Sequence, residues 1–297
     1  MNLAHFKFKS ALVLTLSLCL GTVWIQPSVA ATKNIVHAKA NDPKENLVSN
    51  ILKLALEKSG SPDVYRFQEY PDGINEARLI SLLQDGTITV AWAGTQKSYE
   101  EVLFPIRVPI LKGLLGHRIF IIRKGTQSLF DKVDTIEDLQ RIKLGQGKFW
   151  GDTTVLKHNN MSVVDPVKYP NLFYMLEGER FDFFPRAVHE PWSEVAARPE
   201  LNLTVEKNIL LIYPFAMYFF VSKDNAKLGR YIETGFRNAI DDGSFNEMFF
   251  SHPLIRDVLE KSNLQGRKIF RLSNPNMSPK TPFDEKKLWL DINNIDL

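Results

Sequence analysis

The segment from residue 33 to residue 93 alternates short apolar strands with amphipathic helices, and this alternation constrains the fold more than any other feature. The strands are predicted over Lys33–Lys39, Val64–Glu69 and Thr87–Ala93. The first connecting helix begins after Asp42, which suits an N-cap, and the second covers Asn75–Gln84. Because short loops join these elements, the pattern predicts a parallel sheet covered by helices, and hence an α/β protein.

A second set of strands and helices follows an irregular stretch from residue 94 to residue 116. Arg118–Arg123 is a predicted strand, a capped helix is predicted to begin at Thr135, and Ile142–Gly147 is another strand. A loop rich in glycine and aromatic residues then leads into a helix that starts near Val155, and a further strand covers Ser162–Val167. This half of the chain is therefore also predicted to be α/β.

The stretch Tyr169–Trp192 combines an amphipathic helix that ends near Gly178 with a buried strand rich in phenylalanine. The loop after this strand carries Arg186, His189, Glu190 and Trp192. Ligands of open α/β sheets bind beyond the carboxyl ends of strands, so this polar and aromatic loop is a candidate ligand site. The alternative interpretation is a core strand that is followed by ordinary surface charges.

The remainder of the chain continues the same mixture of elements. Strands are predicted over Asn208–Tyr213, Ala216–Ser222 and Lys268–Leu272. Helices are predicted over Asn225–Phe249 and Pro253–Ser262. No sequence repeat or low-complexity segment interrupts this order, so the chain can form one large domain or two smaller ones.

Residues 1–30 have the pattern of a secretory signal peptide. A basic start with Lys7 and Lys9 precedes the apolar run Ala11–Leu20, and Ser28 and Ala30 place small residues before a cleavage site. We therefore expect cleavage after Ala30 and a mature, monomeric protein in the periplasm. A retained membrane anchor and a lipoprotein are the alternatives.

Cysteine content and charge exclude several classes of protein. Cys19 is the only cysteine and leaves with the signal peptide, so the mature chain can form no disulfide and no thiolate metal site. We expect no metal and no cofactor. The 297 residues carry 37 Lys and Arg against 34 Asp and Glu, a net charge of +3 without a basic run. Nucleic-acid binding is therefore not expected.

Several motifs together resemble the periplasmic solute-binding proteins of the amino-acid-type ABC-transporter group. Gly116–Lys124 resembles the segment by which these proteins enter their second lobe. Thr135–Thr154 resembles their helix, strand and Gly-Thr loop, Gly178–Asp182 their Gly-Arg-x-Asp turn, and Asp241–Phe245 their late Asp-Gly helix end. The resemblance spans residues 35–250.

The resemblance implies the type II periplasmic binding fold, with two α/β lobes of mixed sheets joined by a two-segment hinge. It assigns residues 31–116 and 214–297 to lobe one and residues 117–213 to lobe two, with a small-molecule ligand held in the cleft between them. The implied function is capture of a small polar solute, an amino acid or a related carboxylate, for an inner-membrane ABC permease. A sensing module that partners a signalling receptor is the alternative within the same fold.

The resemblance also implies individual ligand contacts. Arg118 matches the arginine that clamps a ligand carboxylate through two parallel hydrogen bonds. Thr153 and Thr154 match the hydroxyls and helix N-terminal N–H groups that bind the same carboxylate. Trp92 and Trp150 are predicted to line the cleft, since such pockets are largely apolar and aromatic. Asp42 is predicted to cap a helix first and to contact the ligand second.

The chain departs from the family pattern where an aspartate should hold the ligand amine. That place falls near Arg186 and Ala187, and Glu190 is the nearest replacement. If Glu190 does not take this role, the ligand has no amine or Arg186 binds a second anionic group. For a zwitterionic ligand, we expect Arg118→Ala and Glu190→Ala each to abolish tight binding and to leave the apo protein stable.

The sequence shows no catalytic signature. The nucleophile elbow, the paired zinc histidines and the phosphate-binding loop are all absent, and His158 and His189 lack metal-ligand spacing. We therefore expect a binding protein and not an enzyme, with an exported hydrolase as the rival class.

Overall fold

The computed structural model describes residue 1 and residues 31–40, 42–72, 74 and 76–293. The predicted signal peptide and Cys19 lie outside these residues, except for Met1. Within them, no helix is both long enough and apolar enough to cross a lipid bilayer.

The described residues form a mixed α/β structure. The strands are β1 (Thr32–His37), β2 (Val64–Glu69), β3 (Ala91–Gly94), β4 (Leu103–Ile106), β5 (His117–Arg123), β6 (Lys143–Gly145), β7 (Ser162–Val164), β8 (Phe183–Ala187), β9 (Leu203–Val205), β10 (Ile209–Ile212), β11 (Met217–Ser222) and β12 (Lys268–Arg271). The helices are α1 (Pro43–Glu57), α2 (Glu76–Gln84), α3 (Lys97–Val102), α4 (Gln127–Phe130), α5 (Ile136–Gln140), α6 (Gly151–His158), α7 (Tyr169–Glu177), α8 (Pro191–Ala196), α9 (Ala226–Asp241), α10 (Ser244–Ser251) and α11 (Pro253–Ser262).

Local sequence signals account for several of these boundaries. The Asp42 carboxylate accepts the Glu45 N–H at 2.9 Å and Pro43 occupies the first turn of α1, as predicted. Thr135 and Asp138 form the reciprocal capping box of α5. Gly178 caps the C-terminus of α7, also as predicted.

The middle of the chain is built on one mixed sheet, which we call the lobe-two sheet. Its strand order is β12-β10-β5-β8-β6-β7, and β9 pairs with β5. β6 is parallel to β7 and β8, whereas β5 is antiparallel to β8 with Arg118 opposite Ala187. The start of β5 and the carboxyl end of β8 therefore lie at the same edge of the sheet, which places Arg118 beside the loop that carries His189 and Glu190.

Two further sheets, β1-β2 and β3-β11-β4, lie outside the lobe-two sheet, and we call the part of the chain built on them lobe one. β1 and β2 are parallel, as the opening pattern predicts. The third predicted strand differs: Thr89 and Val90 N–H groups donate to Val36 in β1, but β3 itself pairs antiparallel with β11. Lobe one is consequently a mixed structure and not a purely parallel sheet.

The two connections between the lobes run side by side. His117 and Arg118 at the start of β5 pair antiparallel with Ile212 and Leu211 in β10. A side chain at Gly116 would place its first carbon 2.0 Å from the Tyr213 carbonyl oxygen, so this crossing requires glycine. Adjacent crossing segments are the geometry that a two-segment hinge needs.

The structure corrects several predicted elements. Residues 94–116, predicted as irregular, contain α3 and β4, and the loop after β8 becomes α8. The predicted helix Asn225–Phe249 is broken at Gly243, whose φ of 84° ends α9 before α10 begins. The division into lobes also changes at one point: β12 pairs in parallel with β10, so residues 268–271 extend the lobe-two sheet, although the prediction assigns them to lobe one. The rest of the division remains a prediction.

A buried ion pair ties the C-terminal strand to lobe two. Arg267 Nη1 lies 3.4 Å from the Glu206 carboxylate and donates to the Ile209 carbonyl at 3.1 Å. Glu206 also accepts the N–H groups of Asn208 and Ile209, each at 2.8 Å. Both charges are removed from water, so each depends on the other for neutralisation.

We expect Glu206→Ala to lower the free energy of unfolding by about 3–5 kcal/mol, because it leaves Arg267 buried without a counter-charge. Urea denaturation followed by circular dichroism measures the loss. Asp134→Ala is the control, since Asp134 pairs with Lys268 in the same region but is mostly exposed. Equal stability of the two variants would contradict the structural role of the buried pair.

Candidate functional site

A cleft of about 860 Å³ lies between lobe one and the edge of the lobe-two sheet. Its walls combine charged and aromatic side chains from both units. Lobe one contributes Asp42, Lys44, Glu45, Trp92, Phe215 and Asp257, and lobe two contributes Arg118, Trp150, Asp152, Tyr169, Arg186, His189, Glu190, Trp192 and Glu194. A cavity of this size and lining suits a small polar molecule.

Most of the site residues predicted from the sequence line this cleft. They are Asp42, Trp92, Arg118, Trp150, Arg186 and Glu190. The two threonines do not. Thr153 is buried and its hydroxyl donates to the Gly147 carbonyl at 2.6 Å, and Thr154 is exposed outside the cleft lining. Gly151 and Asp152, and not Thr153 and Thr154, occupy the cleft-facing first turn of α6. Contact of any of the eight predicted residues with a ligand stays a prediction.

Arg118 is held by a carboxylate of the protein itself. Arg118 Nη2 lies 2.9 Å from Asp152 Oδ2, and both side chains are only 3% exposed. The same oxygen accepts Gln146 Nε2 at 2.7 Å and the Tyr213 hydroxyl at 3.1 Å. Arg118 also lies over the Tyr213 ring at 5.4 Å. The guanidinium that was predicted to meet a ligand carboxylate thus already has an anionic partner.

Arg186 is paired in the same way. Its Nε donates to Glu194 Oε2 at 2.8 Å, and its Nη2 donates to Glu194 Oε1 at 2.6 Å, a bidentate arrangement. The Nη2 atom also lies 3.1 Å from Glu190 Oε1. The guanidinium plane stacks near Trp150, 4.9 Å from its ring centroid, and the Tyr169 hydroxyl donates to Glu194 at 2.6 Å.

Glu190 has both carboxylate oxygens engaged. Oε2 accepts the Ala187 N–H at 2.8 Å, and Oε1 contacts Arg186. Burial alone would raise the pKa of Glu190, but the charge of Arg186 and the neighbouring His189, Arg118 and Lys44 lower it to about 2. Glu190 therefore remains ionised, and it lies on the cleft wall.

The lobe-one wall is fixed by a second, smaller network. Trp92 Nε1 donates to Glu45 Oε2 at 2.5 Å, and Lys44 Nζ lies 2.7 Å from Glu45 Oε1. Because its indole N–H is held, the Trp92 ring has a fixed position in the cleft wall.

His189 stands apart from these networks. It is 6% exposed, and neither of its ring nitrogens has a hydrogen-bond partner in the described part of the chain. Glu190 is the nearest carboxylate, at 4.0 Å from Nε2, which is beyond hydrogen-bond range. Burial lowers the pKa of His189 to about 4 despite the negative charge of Glu190, so the ring is neutral at neutral pH. A neutral imidazole offers one N–H donor and one bare nitrogen acceptor.

Sequence reasoning missed several charged and aromatic residues of the cleft wall, among them Asp152, Tyr169 and Glu194. Asp152 stands directly before the predicted threonines, and its position in the first turn of α6 was the available signal. Tyr169 and Glu194 lie on elements that flank β8, but nothing in the sequence shows that they meet. No group of His, Cys, Asp or Glu in the described residues is arranged to hold a metal ion.

No protein-family model and no curated protein sequence matches this chain. Solved structures do match its fold. An ancestral arginine-binding protein bound to arginine aligns with a TM-score of 0.53 and 16% identity, over 76% of this chain and 99% of the other. An amino acid ABC transporter substrate-binding protein from Streptococcus pneumoniae, bound to L-arginine, aligns with a TM-score of 0.53 and 12% identity, over 74% and 92%.

A third structural match is a ligand-binding core. The GluR0 ligand-binding core from Nostoc punctiforme, in complex with L-glutamate, aligns with a TM-score of 0.50 and 14% identity, over 74% of this chain and 98% of the other. The chain therefore has the two-lobed type II periplasmic binding fold, as the sequence motifs imply. At these identities the matches establish the fold alone.

The structure changes one expectation about stability. Arg118→Met leaves Asp152 buried beside Gln146 and Tyr213 without its counter-charge, so we expect the free energy of unfolding to fall by about 3–5 kcal/mol. The earlier expectation of an unaffected apo protein assumed a free guanidinium. The double variant Arg118→Met/Asp152→Leu removes both charges and should recover much of this loss. Urea unfolding of the unmodified protein, the single variant and the double variant measures both effects. A double variant that is no more stable than Arg118→Met would contradict the pairing.

Arg141→Met provides the surface control for this comparison. Arg141 pairs with Asp138 and its side chain is 77% exposed, so its removal should change stability little.

Stability should also fall as the solution is acidified from pH 6.5 to about pH 4. Burial lowers the pKa of both His117 and His189 from 6.5 to about 4, so the unfolded chain binds more protons than the folded chain within this window. The stabilisation is complete above pH 6.5 and is lost toward pH 4. Each histidine contributes a slope of about 1.4 kcal/mol per pH unit.

We expect His189→Gln to remove one of these two contributions, and urea titrations at several pH values measure the slope. His158→Gln is the matched control, because His158 is exposed on α6. A slope in His189→Gln equal to that of the unmodified protein would refute the assignment.

Proposed function

We propose that the protein captures a small polar solute in the periplasm and delivers it to an ABC permease of the inner membrane. The observation that carries this proposal is the cleft, whose charged and aromatic walls come from two units joined by adjacent crossing segments. Closure about such a hinge would bury a bound molecule between the walls. The amino acid ABC transporter protein of Streptococcus pneumoniae, which shares the fold, supports the proposal by analogy.

Two alternatives remain open within the proposal. A sensing module is compatible with the match to the GluR0 ligand-binding core of Nostoc punctiforme, and it would use the same cleft. An exported hydrolase is disfavoured by the geometry around His189. The nearby Ser193 hydroxyl donates to the Glu190 carbonyl at 3.0 Å, and no hydrogen bond joins it to His189 in the described residues.

The ligand expected from the sequence is an amino acid or a related carboxylate, and this class defines the first compounds to test. Signal-peptide cleavage after Ala30, a monomeric state and a periplasmic location belong to the same proposal. Intact-mass measurement of a periplasmic extract tests the cleavage site directly.

A thermal-shift screen of amino acids, amines and organic acids should reveal a stabilising ligand. At one hundred times its dissociation constant, such a ligand adds about 2.7 kcal/mol to the free energy of unfolding. Small-angle scattering at saturating ligand should show a smaller radius of gyration, because the lobes close.

Trp192→Ala should weaken ligand binding, since Trp192 lines the cleft. Thr154→Ala is the control and should bind the ligand normally, because Thr154 is exposed outside the cleft lining.

A screen without any stabilising solute, together with an unchanged scattering curve, would reject solute capture. If a ligand binds and the radius of gyration does not change, solute capture stands and only the closure of the lobes about a hinge is rejected.

A further inference from the structure

The position of Asp152 leaves little room for a ligand carboxylate at Arg118. The Asp152 carboxylate already lies 2.9 Å from the guanidinium and accepts two further hydrogen bonds. A second carboxylate at the same place would lie beside a buried negative charge without a new cation to neutralise it. In the described residues Arg118 Nε is buried without a partner, and Nη1 lies 4.0 Å from Glu190, so a ligand carboxylate at these donors would meet Glu190 as well as Asp152.

Arg186 offers no alternative anion site. Its Nε and Nη2 atoms are taken by Glu194 and Glu190, and its Cζ atom lies 4.9 and 4.8 Å from the ring centroids of Trp150 and Phe184. A ligand carboxylate that approached Arg186 would again meet two carboxylates of the protein.

The charge of the cleft favours a cation. Among the described residues, six carboxylates line the cleft, against three cationic side chains. The carboxylates are Asp42, Glu45, Asp152, Glu190, Glu194 and Asp257, and the cations are Lys44, Arg118 and Arg186. Asp257 also contacts Lys261, which lies outside the lining. When Asp257 and Lys261 are counted as a neutral pair, the carboxylates of the cleft still outnumber its cationic side chains.

His189 shows where a ligand hydrogen bond is missing. It is a buried polar side chain on the cleft wall with two unsatisfied ring nitrogens, and a neutral ring presents a bare nitrogen as an acceptor. An ammonium or guanidinium group has only donors, so it complements this acceptor. Trp92, Trp192 and Phe215 add aromatic rings, which attract cations when water is excluded.

We propose that the cleft binds a small organic cation that lacks a carboxylate, an amine or guanidinium compound of the size of a decarboxylated basic amino acid. This inference rests on the proposed function of solute capture and names the class of solute. Asp152 serves as a built-in carboxylate that occupies Arg118 and excludes zwitterionic amino acids.

Isothermal titration calorimetry with matched pairs tests the proposal. The pairs are agmatine with arginine, cadaverine with lysine, and putrescine with ornithine, in which each amine differs from its amino acid only by the carboxylate. We expect at least one amine to bind, and to bind at least tenfold more tightly than its amino acid. Asp152→Asn removes the negative charge beside Arg118, so the variant should bind the amino acid more tightly. The ratio of the amino acid's dissociation constant to the amine's should therefore fall, or the preference should invert.

Asp165→Asn is the matched control, because Asp165 is a lobe-two carboxylate that pairs with Lys157 away from the cleft lining. Its preference between the paired compounds should equal that of the unmodified protein. Thermal unfolding without ligand verifies that both variants are folded.

Three results would overturn the inference: tighter binding of the amino acids by the unmodified protein, no binding of any amine, or an unchanged ratio in folded Asp152→Asn. In the first case solute capture still stands, because a ligand binds. The proposed function is rejected as well only if the wider thermal-shift screen reveals no ligand and the scattering curve does not change.

Discussion

The ion pair between Arg118 and Asp152 connects the parts of the molecule that a hinge must hold together. Arg118 is the second residue of β5, the first connection to lobe two, and Tyr213 follows β10, the connection that returns. Asp152 lies in the first turn of α6 and contacts both, at 2.9 Å and 3.1 Å. One buried carboxylate therefore joins both crossing segments to the helix whose first turn faces the cleft. Because this network is removed from water, it tolerates little displacement of any member.

Much of the fold could be predicted because its determinants are local in sequence. The cap at Asp42, the capping box at Thr135 and the glycine at Gly178 each mark a helix boundary by contacts between residues a few positions apart. The apolar run of β5 and the phenylalanines of β8 likewise predict buried strands. The elements that were missed are short: α3 and β4 cover six and four residues, too few for a clear periodic pattern.

The pairing of the C-terminal strand could not be predicted for a different reason. β12 joins β10 through a register between residues about sixty positions apart, and Arg267 reaches Glu206 across the same distance. A single charged residue in a sequence does not show which opposite charge it will meet. The assignment of β12 to lobe one followed from family order, whereas its hydrogen bonds decide otherwise.

The same limit applies more strongly to the site. Arg118, Arg186 and Glu190 could be predicted to lie near one another, because the strand ends that carry them meet at the same edge of a sheet. All three line the cleft. The sequence could not show that Asp152 and Glu194 would neutralise the two arginines, since each pairing joins separate elements of the fold. A family motif predicts where an arginine lies, but the unmatched residue beside it decides what that arginine can bind. In this chain Asp152, and not either threonine after it, is the residue that meets Arg118 in the cleft wall.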